Sequence, residues 1–382
     1  MHRFKRTLAA VALTTTVVAG TAGWAAAHRE AAVTGPPPGT AAWRTDHSLH
    51  RALPDPATAS PAEVARFFAA LPEDARQRLA DRHPMVVGNL DGAPPALRYA
   101  ANRRALAAER ADRLRQAADT SLPEYERADA RALADRYREL LAPGRWILAF
   151  DPRGRGQLAE VYGDLAAARR TAVVVPGSDI DLSSFDRRAD PYGTPAGMAR
   201  SLHAELARQA PGTPTAVIAW AGYTTPVGIG PDAATGRLAE AGAPRLDRFL
   251  AGLAAAGAAA PAVFCHSYGS VVCGLAAHAI GRGDATDLVV LGSPGVRAGS
   301  AAGLRTTVRV WAVRRNADDW IGNVPNVELF GLGHGTDPTS AAFGARPVSS
   351  TGAHGHTGYF APGTESLRHC AEITLGAYDA VR

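Results

Sequence analysis

Apolar runs alternate with amphipathic segments through the last two thirds of the chain. After Gly144, short runs rich in valine and alanine end close to glycine or proline, as in TAVVVPG, TAVIAWAGY, AVFCHS, DLVVLGSPG and TVRVWAV. Helical periodicity fills the intervals over residues 195–209, 234–256 and 268–280. This alternation is typical of a mostly parallel sheet with helices on both faces. We therefore predict an α/β fold over residues 144–382, with a hairpin around DPRGRG at its start.

The preceding third of the chain has a helical pattern instead. Ser60 begins a capping box and is followed by apolar residues at helical spacing. Further helices are predicted over residues 95–118 and 123–141. The sequence thus predicts an α-helical N-terminal region over residues 60–143. Residues 28–59 are rich in proline and alanine and are predicted to be a linker or an extended wrap.

The first residues have the order of an export signal. A basic start is followed by an uncharged stretch and by small residues that end at Ala27. We expect residues 1–27 to be a signal peptide that is cleaved, giving a secreted protein, with retention at the cell surface as an alternative. An uncleaved membrane anchor is the competing interpretation, but threonines and glycines make the stretch a poor one.

Composition narrows the classes of partner. The net charge of +5 falls to +2 without residues 1–27, since 38 basic and 36 acidic residues remain. This near balance favours neither nucleic-acid binding nor a membrane-binding patch. The three cysteines have no metal-site spacing, so we expect no metal and no cofactor. Cys265 and Cys273 are predicted to be small packing residues rather than a redox pair. With Cys370 they allow at most one disulfide within the chain, which the sequence does not assign.

One serine stands at a corner between a strand and a helix. Ser267 follows the run AVFCH and precedes the helical stretch SVVCGLAAHAI, with Cys265 two residues before it and Gly269 two residues after it. Small residues at these two positions are needed in a nucleophile elbow, because bulk would collide with neighbouring elements. We therefore predict that Ser267 is a catalytic nucleophile. A serine that only caps a helix is the alternative.

A serine nucleophile needs a carboxylate and a histidine later in the chain. The loop after TVRVWAV offers Asp318 and Asp319, of which Asp319 has the better spacing to a following aliphatic residue. Asp319 is therefore the predicted acid, and Asp318 remains an alternative.

Four histidines follow the acid. His354 and His356 lie in the segment before the last predicted helix, where a catalytic histidine is expected. His334 is a lesser candidate, and His369, within that helix, is predicted to be structural or exposed. Spacing alone leaves His354 and His356 open as the base.

The oxyanion of an acyl-transfer reaction also needs backbone donors. One is expected from the N–H of Tyr268, directly after the serine. The other is expected in the loop after VVVPG, from Ser178 or, failing that, Asp179.

Several short blocks in order resemble an actinobacterial family of α/β-hydrolase proteins of unknown function. They are GNLDGAPPALRYAANRRAL, AFDPRGRGQLAEVYGD, VVVPGSDIDL, AWAGYTTP, CHSYGS, LGSPG, GTDP with FGA, and HGHTGYF, spread over residues 60–378. The resemblance implies the α/β-hydrolase fold and a serine-hydrolase triad, with His356 at the family's histidine. The family usually has glycine where Cys265 stands.

Three functions agree with these patterns. The leading hypothesis is a secreted serine hydrolase that cleaves small-molecule or lipid-like carboxylic esters with Ser267, Asp319 and His356. An acyltransferase would use the same acyl-enzyme, and a non-catalytic binding protein could retain the fold. The sequence indicates neither an oligomeric state nor a natural substrate.

Overall fold

The structure is a computed structural model that describes residues 29–382. The predicted export signal, residues 1–27, lies outside the described residues, so its cleavage stays a prediction. Across the described part of the chain, no helix is both long and apolar enough to cross a membrane.

The first third of the described chain folds into helices. They are α1 (Thr40–Arg44), α2 (Pro61–Ala69), α3 (Glu73–Arg82), α4 (Pro84–Asn89), α5 (Pro95–Ala118) and α6 (Glu124–Leu140). Ser60 caps α2 as expected: its hydroxyl accepts from the Glu63 N–H, and the Glu63 carboxylate accepts from the Ser60 N–H at 2.7 Å. Such a cap stabilises a helix start by about 1 kcal/mol.

The segment 28–59, predicted to be a linker, packs onto the folded chain over its described residues. Trp43 in α1 is fully buried and contacts His83 edge-on, with ring centroids 5.4 Å apart. The Val33 N–H donates to the Thr224 hydroxyl at 3.0 Å, which ties the segment to a distant loop. Of the two alternatives, these contacts agree with a wrap and not with a free linker, because a buried tryptophan and long-range bonds make this segment part of the packed structure.

An eight-stranded sheet forms the rest of the core. The strands along the chain are β1 (Trp146–Asp151), β2 (Gln157–Gly163), β3 (Arg170–Val175), β4 (Thr215–Ala221), β5 (Ala262–His266), β6 (Asp287–Leu291), β7 (Arg309–Val313), β8 (Glu328–Leu329), β9 (Leu332–Gly333) and β10 (Arg346–Val348). The order in the sheet is β1-β2-β4-β3-β5-β6-β7-β10, and β8 with β9 forms a separate hairpin. β2 runs antiparallel to β1 and β4, and the remaining neighbours are parallel.

Helices cover both faces of this sheet, as predicted. They are α7 (Pro195–Gln209), α8 (Pro231–Ala234), α9 (Arg237–Ala255), α10 (Gly269–Ala276) and α11 (Glu365–Leu375). Successive strand residues point to opposite faces: Val174 packs in one apolar cluster with Met198 of α7, and Val173 packs in the other with Leu250 of α9. Because the parallel strands end at one edge, the loops after β3, β5 and β7 meet there.

Candidate active site

Ser267 stands at the corner between β5 and α10. Its backbone is left-handed, with a φ of 54°, which non-glycine residues rarely adopt. The Ser267 N–H donates to the Leu291 carbonyl at 2.9 Å and anchors the corner to β6. A Cβ at Gly269 would lie 2.5 Å from the Val175 carbonyl oxygen, so a larger residue would collide with β3. The left-handed backbone of Ser267 costs about 1–3 kcal/mol, and strain of this kind is typical of functional sites.

Cys265 and Cys273 are joined by a disulfide, and the prediction that they are only packing residues is wrong. The chain turns back at the corner, so that β5 and α10 bring their two Cα atoms to 6.4 Å, within the usual disulfide range. Eight positions apart in sequence, the two residues gave no sign of this approach. Cys370 is a buried free cysteine.

The structure brings His356 and Asp319 together. The Nδ1 atom of His356 lies 2.8 Å from Oδ1 of Asp319. The alternatives are elsewhere: the side chain of His354 is 84% exposed, and its ring lies 3.6 Å from the exposed carboxylate of Asp318. The geometry thus pairs the two residues preferred in the sequence and leaves the other two at the surface.

The second ring nitrogen of His356 has no hydrogen-bond partner within the described chain. Its Nε2 atom is buried and makes no hydrogen bond among residues 29–382. The ring lies against His266, with centroids 4.8 Å apart, and a Cβ at Gly292 would lie 3.1 Å from its Cε1 atom. The expected hydrogen bond between His356 and Ser267 is not formed in this structure. Catalytic hydrogen bonds are often long before substrate binds.

The Asp319 carboxylate is held in its ionised form. Burial opposes ionisation, but hydrogen bonds from His356, from the Tyr359 hydroxyl at 2.6 Å and from the Ile321 N–H at 3.0 Å outweigh it and lower the pKa of Asp319. The same contact and burial raise the pKa of Tyr359. Asp319 therefore offers a fixed negative charge to the imidazole.

His266 supports the backbone of the histidine loop. Its Nε2 atom lies 2.8 Å from the His356 carbonyl oxygen. Burial, with a contribution from the neighbouring His356, lowers the pKa of His266 to about 3. A neutral imidazole therefore carries its proton on Nε2 and donates it to this carbonyl.

The loop after β3 lies directly beside the serine. A Cβ at Gly177 would come within 2.5 Å of the Ser267 Cβ, so only glycine allows this approach. The Tyr223 hydroxyl donates to the Pro176 carbonyl at 2.7 Å and fixes the start of the loop. Within the described chain, the N–H groups of Ser178 and Tyr268 donate no hydrogen bond.

Asp179 is occupied by the next loop. Its backbone is left-handed with a φ of 63°, and its N–H donates to the Pro226 carbonyl at 2.8 Å. Its carboxylate accepts from the Gly228 N–H at 2.7 Å. The N–H of Asp179 is thus already used, which leaves Ser178 as the better placed donor of the two.

The other candidate histidines have partners of their own. His334 is buried, with Nε2 2.7 Å from the Ala233 carbonyl oxygen and its ring edge-on to Tyr268. His369 lies inside α11, with Nδ1 2.7 Å from the Glu372 carboxylate. Neither is paired with an aspartate, which agrees with the lower rank they have in the sequence.

Three supporting residues were not predicted. Tyr359 holds the acid, His266 holds the histidine loop, and Trp320 packs on His356 with ring centroids 4.7 Å apart. Tyr359 was visible in the HGHTGYF block but without a role. For His266 and Trp320 only their adjacency to Ser267 and Asp319 was available as a signal.

Exposed apolar side chains lie on two loops that are connected to the site. Val227 and Ile229, which are 51% and 80% exposed, flank the Gly228 N–H that contacts Asp179. On the β8–β9 hairpin, Phe330 is 96% exposed. We call residues 227–229 and 327–332, together with Trp320, the apolar rim.

The hairpin of the apolar rim is tied to the serine corner. Leu332 forms a β-bridge with Thr235, and the Thr235 carbonyl accepts a hydrogen bond from the Tyr268 hydroxyl at 2.7 Å.

Among residues 29–382, no group of three or more histidine, cysteine, aspartate or glutamate side chains is arranged to hold a metal ion.

A family model described as alpha/beta hydrolase matches residues 151–329. Two uncharacterized proteins of Mycobacterium tuberculosis, from strains CDC 1551 and H37Rv, are each 31% identical to this chain over 386 residues. The alignment covers 86% of this chain and 57% of each relative, so the chain spans little more than half the length of these relatives.

Solved structures show more distant similarity. A protein described as a predicted CIB-like hydrolase, from Thermoplasma acidophilum, is 13% identical with a TM-score of 0.37, covering 62% of this chain and 98% of its own. XC6422 from Xanthomonas campestris, described as an α/β serine hydrolase without lid, is 14% identical with a TM-score of 0.33, covering 62% and 96%. The family match confirms the resemblance seen in the sequence: the chain has the α/β-hydrolase fold, and its residues 151–329 match the α/β-hydrolase family.

Proposed function

We propose that the protein is a serine hydrolase that cleaves carboxylic esters through an acyl-enzyme on Ser267. The fold and the family match support a hydrolase. The observation that carries the finer proposal is the buried pair of His356 and Asp319: the Nε2 atom of His356 has no partner in the described chain, and its ring packs against His266, the residue directly before Ser267. A histidine oriented by a carboxylate, with its other nitrogen open, is the arrangement that activates a serine hydroxyl.

Each residue has a defined part in this mechanism. The Ser267 oxygen attacks the ester carbonyl while its proton passes to Nε2 of His356. Asp319 accepts the Nδ1–H and so keeps Nε2 open to the proton. His356 then gives that proton to the leaving alcohol as the C–O bond breaks. Water attacks the acyl-serine by the same route, losing a proton to Nε2, and the acid and free Ser267 are released.

The negative charge on the carbonyl oxygen needs donors that are already in place. The N–H groups of Tyr268 and Ser178 have no other acceptor in the described chain and flank the serine. Removing one such donor typically costs about 3–4 kcal/mol of transition-state stabilisation. Glycine at 177 supports this role, because it lets the loop backbone approach the serine closely.

The apolar rim supports an ester with an apolar, lipid-like group. Trp320 contacts the catalytic histidine directly, and Ile229 and Phe330 are exposed apolar side chains on loops that are tied to Asp179 and, through Thr235, to Tyr268. Burying one further methylene group on such a surface contributes about 0.8 kcal/mol. We expect kcat/KM to rise along a series of p-nitrophenyl esters from acetate to longer acyl chains.

The test is labelling with a fluorophosphonate probe and hydrolysis of the same ester series. Ser267→Ala should abolish labelling and lower hydrolysis by about three orders of magnitude or more. Ser183→Ala is the matched control, because Ser183 is exposed and its hydroxyl makes no hydrogen bond in the described chain. Labelling of Ser267→Ala at the wild-type rate would contradict the assignment of the nucleophile.

The base is tested in the same assay. His356→Ala should lose nearly as much activity as Ser267→Ala, and the double variant little more, because the groups act as a unit. His354→Ala should keep most of the activity, since that side chain is exposed. Folded wild-type protein that neither reacts with the probe nor cleaves any ester would favour a non-catalytic binding protein.

A further inference from the structure

A cavity lies away from the serine corner. It has a volume of about 320 Å³ and is bounded by the β1–β2 hairpin, the end of β4, α9 and the segment of residues 28–59. In the sheet, β3 separates β4 from β5, so the end of β4 at the cavity is two strand spacings, roughly 10 Å, from β5, the strand that leads to Ser267. None of the proposed catalytic residues lines it.

Arginines outnumber acids in the wall of this cavity. Four arginines and two aspartates line it, which leaves a net charge of +2. Both aspartates are occupied: Asp91 binds Arg98 at 3.1 Å and lies 3.7 Å from Arg248, and Asp151 binds Arg153 at 2.6 Å. One unit of the excess charge belongs to Arg98 and Arg248, which share Asp91, and the other unit belongs to the remaining arginine.

That arginine, Arg245, has no carboxylate partner in the described chain. Its Nε donates to the Gly222 carbonyl at 2.6 Å, and its Nη2 donates to Oε1 of Gln157. Burial lowers the pKa of Arg245, although Asp151 and Asp91 act in the opposite direction. A guanidinium stays protonated in proteins, so burial leaves this cation short of a compensating negative charge.

The Nη1 group of Arg245 makes no hydrogen bond among residues 29–382, and Gln157 adds a second unused donor. Its side chain is 4% exposed, and its Nε2 makes no hydrogen bond among residues 29–382. The orientation of the amide follows from its neighbour: a guanidinium only donates, so the Gln157 oxygen must face Arg245 and the NH₂ group is left over. A buried donor without an acceptor costs about 1–3 kcal/mol.

We propose that this cavity binds a small oxyanion, a carboxylate or phosphate group, between Arg245 and Gln157. An oxyanion accepts from both spare donors and neutralises the unpaired guanidinium, as neither a neutral nor a cationic ligand would. The sequence block that contains Asp91 and Arg98 and the block that contains Asp151 and Gln157 meet at this cavity, and the proposed catalysis uses neither. The site thus gives these blocks a role separate from ester hydrolysis.

The experiment measures binding without any turnover. Sodium phosphate, sulfate and acetate are titrated into the full chain at constant ionic strength, with chloride as the reference, by calorimetry and thermal melting. We expect at least one of these oxyanions to bind at a single site and to raise the Tm above the chloride value. If none does, the proposal is overturned.

Two variants locate the site. Gln157→Glu keeps an acceptor for Arg245 but places a carboxylate in the cavity, so oxyanion binding should weaken at least 10-fold while the protein stays folded. Arg245→Gln should weaken binding by a similar factor. Arg208→Gln is the control, because Arg208 is exposed and pairs with Glu205 on α7.

Each possible result of these variants either supports or overturns the proposed oxyanion site. Wild-type affinity in Gln157→Glu would place any bound oxyanion elsewhere and overturn the proposal. If Arg245→Gln fails to fold, Gln157→Glu alone decides, since it preserves the contact to Arg245. Because binding is measured directly, loss of ester hydrolysis in any variant does not affect the result, and failure of the proposed esterase leaves this test intact.

Discussion

Replacing His266 with glutamine should make the protein less sensitive to acid. His266 is buried, and burial together with the neighbouring His356 lowers the pKa of His266 from 6.5 to about 3. Below pH 6.5 the unfolded chain therefore binds a proton that the native chain excludes, so the free energy of unfolding falls as the pH falls. The loss ends only near the native pKa, about pH 3.

The size of this effect follows from the shift. Each pH unit between the two pKa values costs about 1.36 kcal/mol, so acidification from pH 8 to pH 5 should remove about 2 kcal/mol through His266 alone. A glutamine at position 266 does not titrate, and its Nε2 can still donate to the His356 carbonyl. The variant should therefore lack this 2 kcal/mol of acid destabilisation.

Urea denaturation followed by tryptophan fluorescence at pH 8, 7, 6 and 5 measures the free energy of unfolding of both proteins. The other histidines titrate in both, so the difference between the two pH profiles isolates position 266. Parallel profiles, offset by a constant amount, would refute the conclusion that His266 is kept neutral by burial.

Two further predictions concern the site's supports. Tyr359→Phe removes the 2.6 Å hydrogen bond to Asp319. A bond to a charged group contributes about 1.5–3 kcal/mol, so Tm should fall by a few degrees. kcat for ester hydrolysis should fall at least 10-fold, and an unaltered kcat would contradict the role of Tyr359 in holding the acid. Replacing both Cys265 and Cys273 with alanine should lower the free energy of unfolding by about 2.5 kcal/mol, because the disulfide closes a short loop in the unfolded chain. Guanidinium denaturation measures this difference, and a midpoint equal to that of the wild type would contradict it.

The sequence was most informative where one physical requirement dominates. A strand buried on both faces must be continuously apolar, so β3 to β7 were visible as runs of valine and alanine. The strands β8, β9 and β10 were missed because they are two or three residues long and mostly exposed, so they have no apolar run. The serine corner was found because it needs small residues at fixed positions.

The pairings across the site were harder to derive from the chain alone. Asp318 and Asp319 differ by one position, and only the folded loop decides between them: Asp319 caps the turn at Ile321 and points inward, while Asp318 faces solvent. The approach of Cys265 to Cys273 depends on the angle between β5 and α10, which no local pattern encodes. The burial of Trp43 was not predicted, because the proline-rich composition around it indicated a linker or an extended wrap.

Substitutions in the segment of residues 28–59 would affect the two sites differently. Residues 35–37 and 56–57 form part of the wall of the anion cavity, whereas the surroundings of Ser267 come from loops at the ends of β3, β5, β6 and β7. Substitutions in the segment can therefore alter which anion fits without moving a catalytic atom. Two proteins with this fold could share one ester chemistry and yet bind different small acids, with the difference encoded more than a hundred residues before Ser178, the first group of the proposed catalytic site.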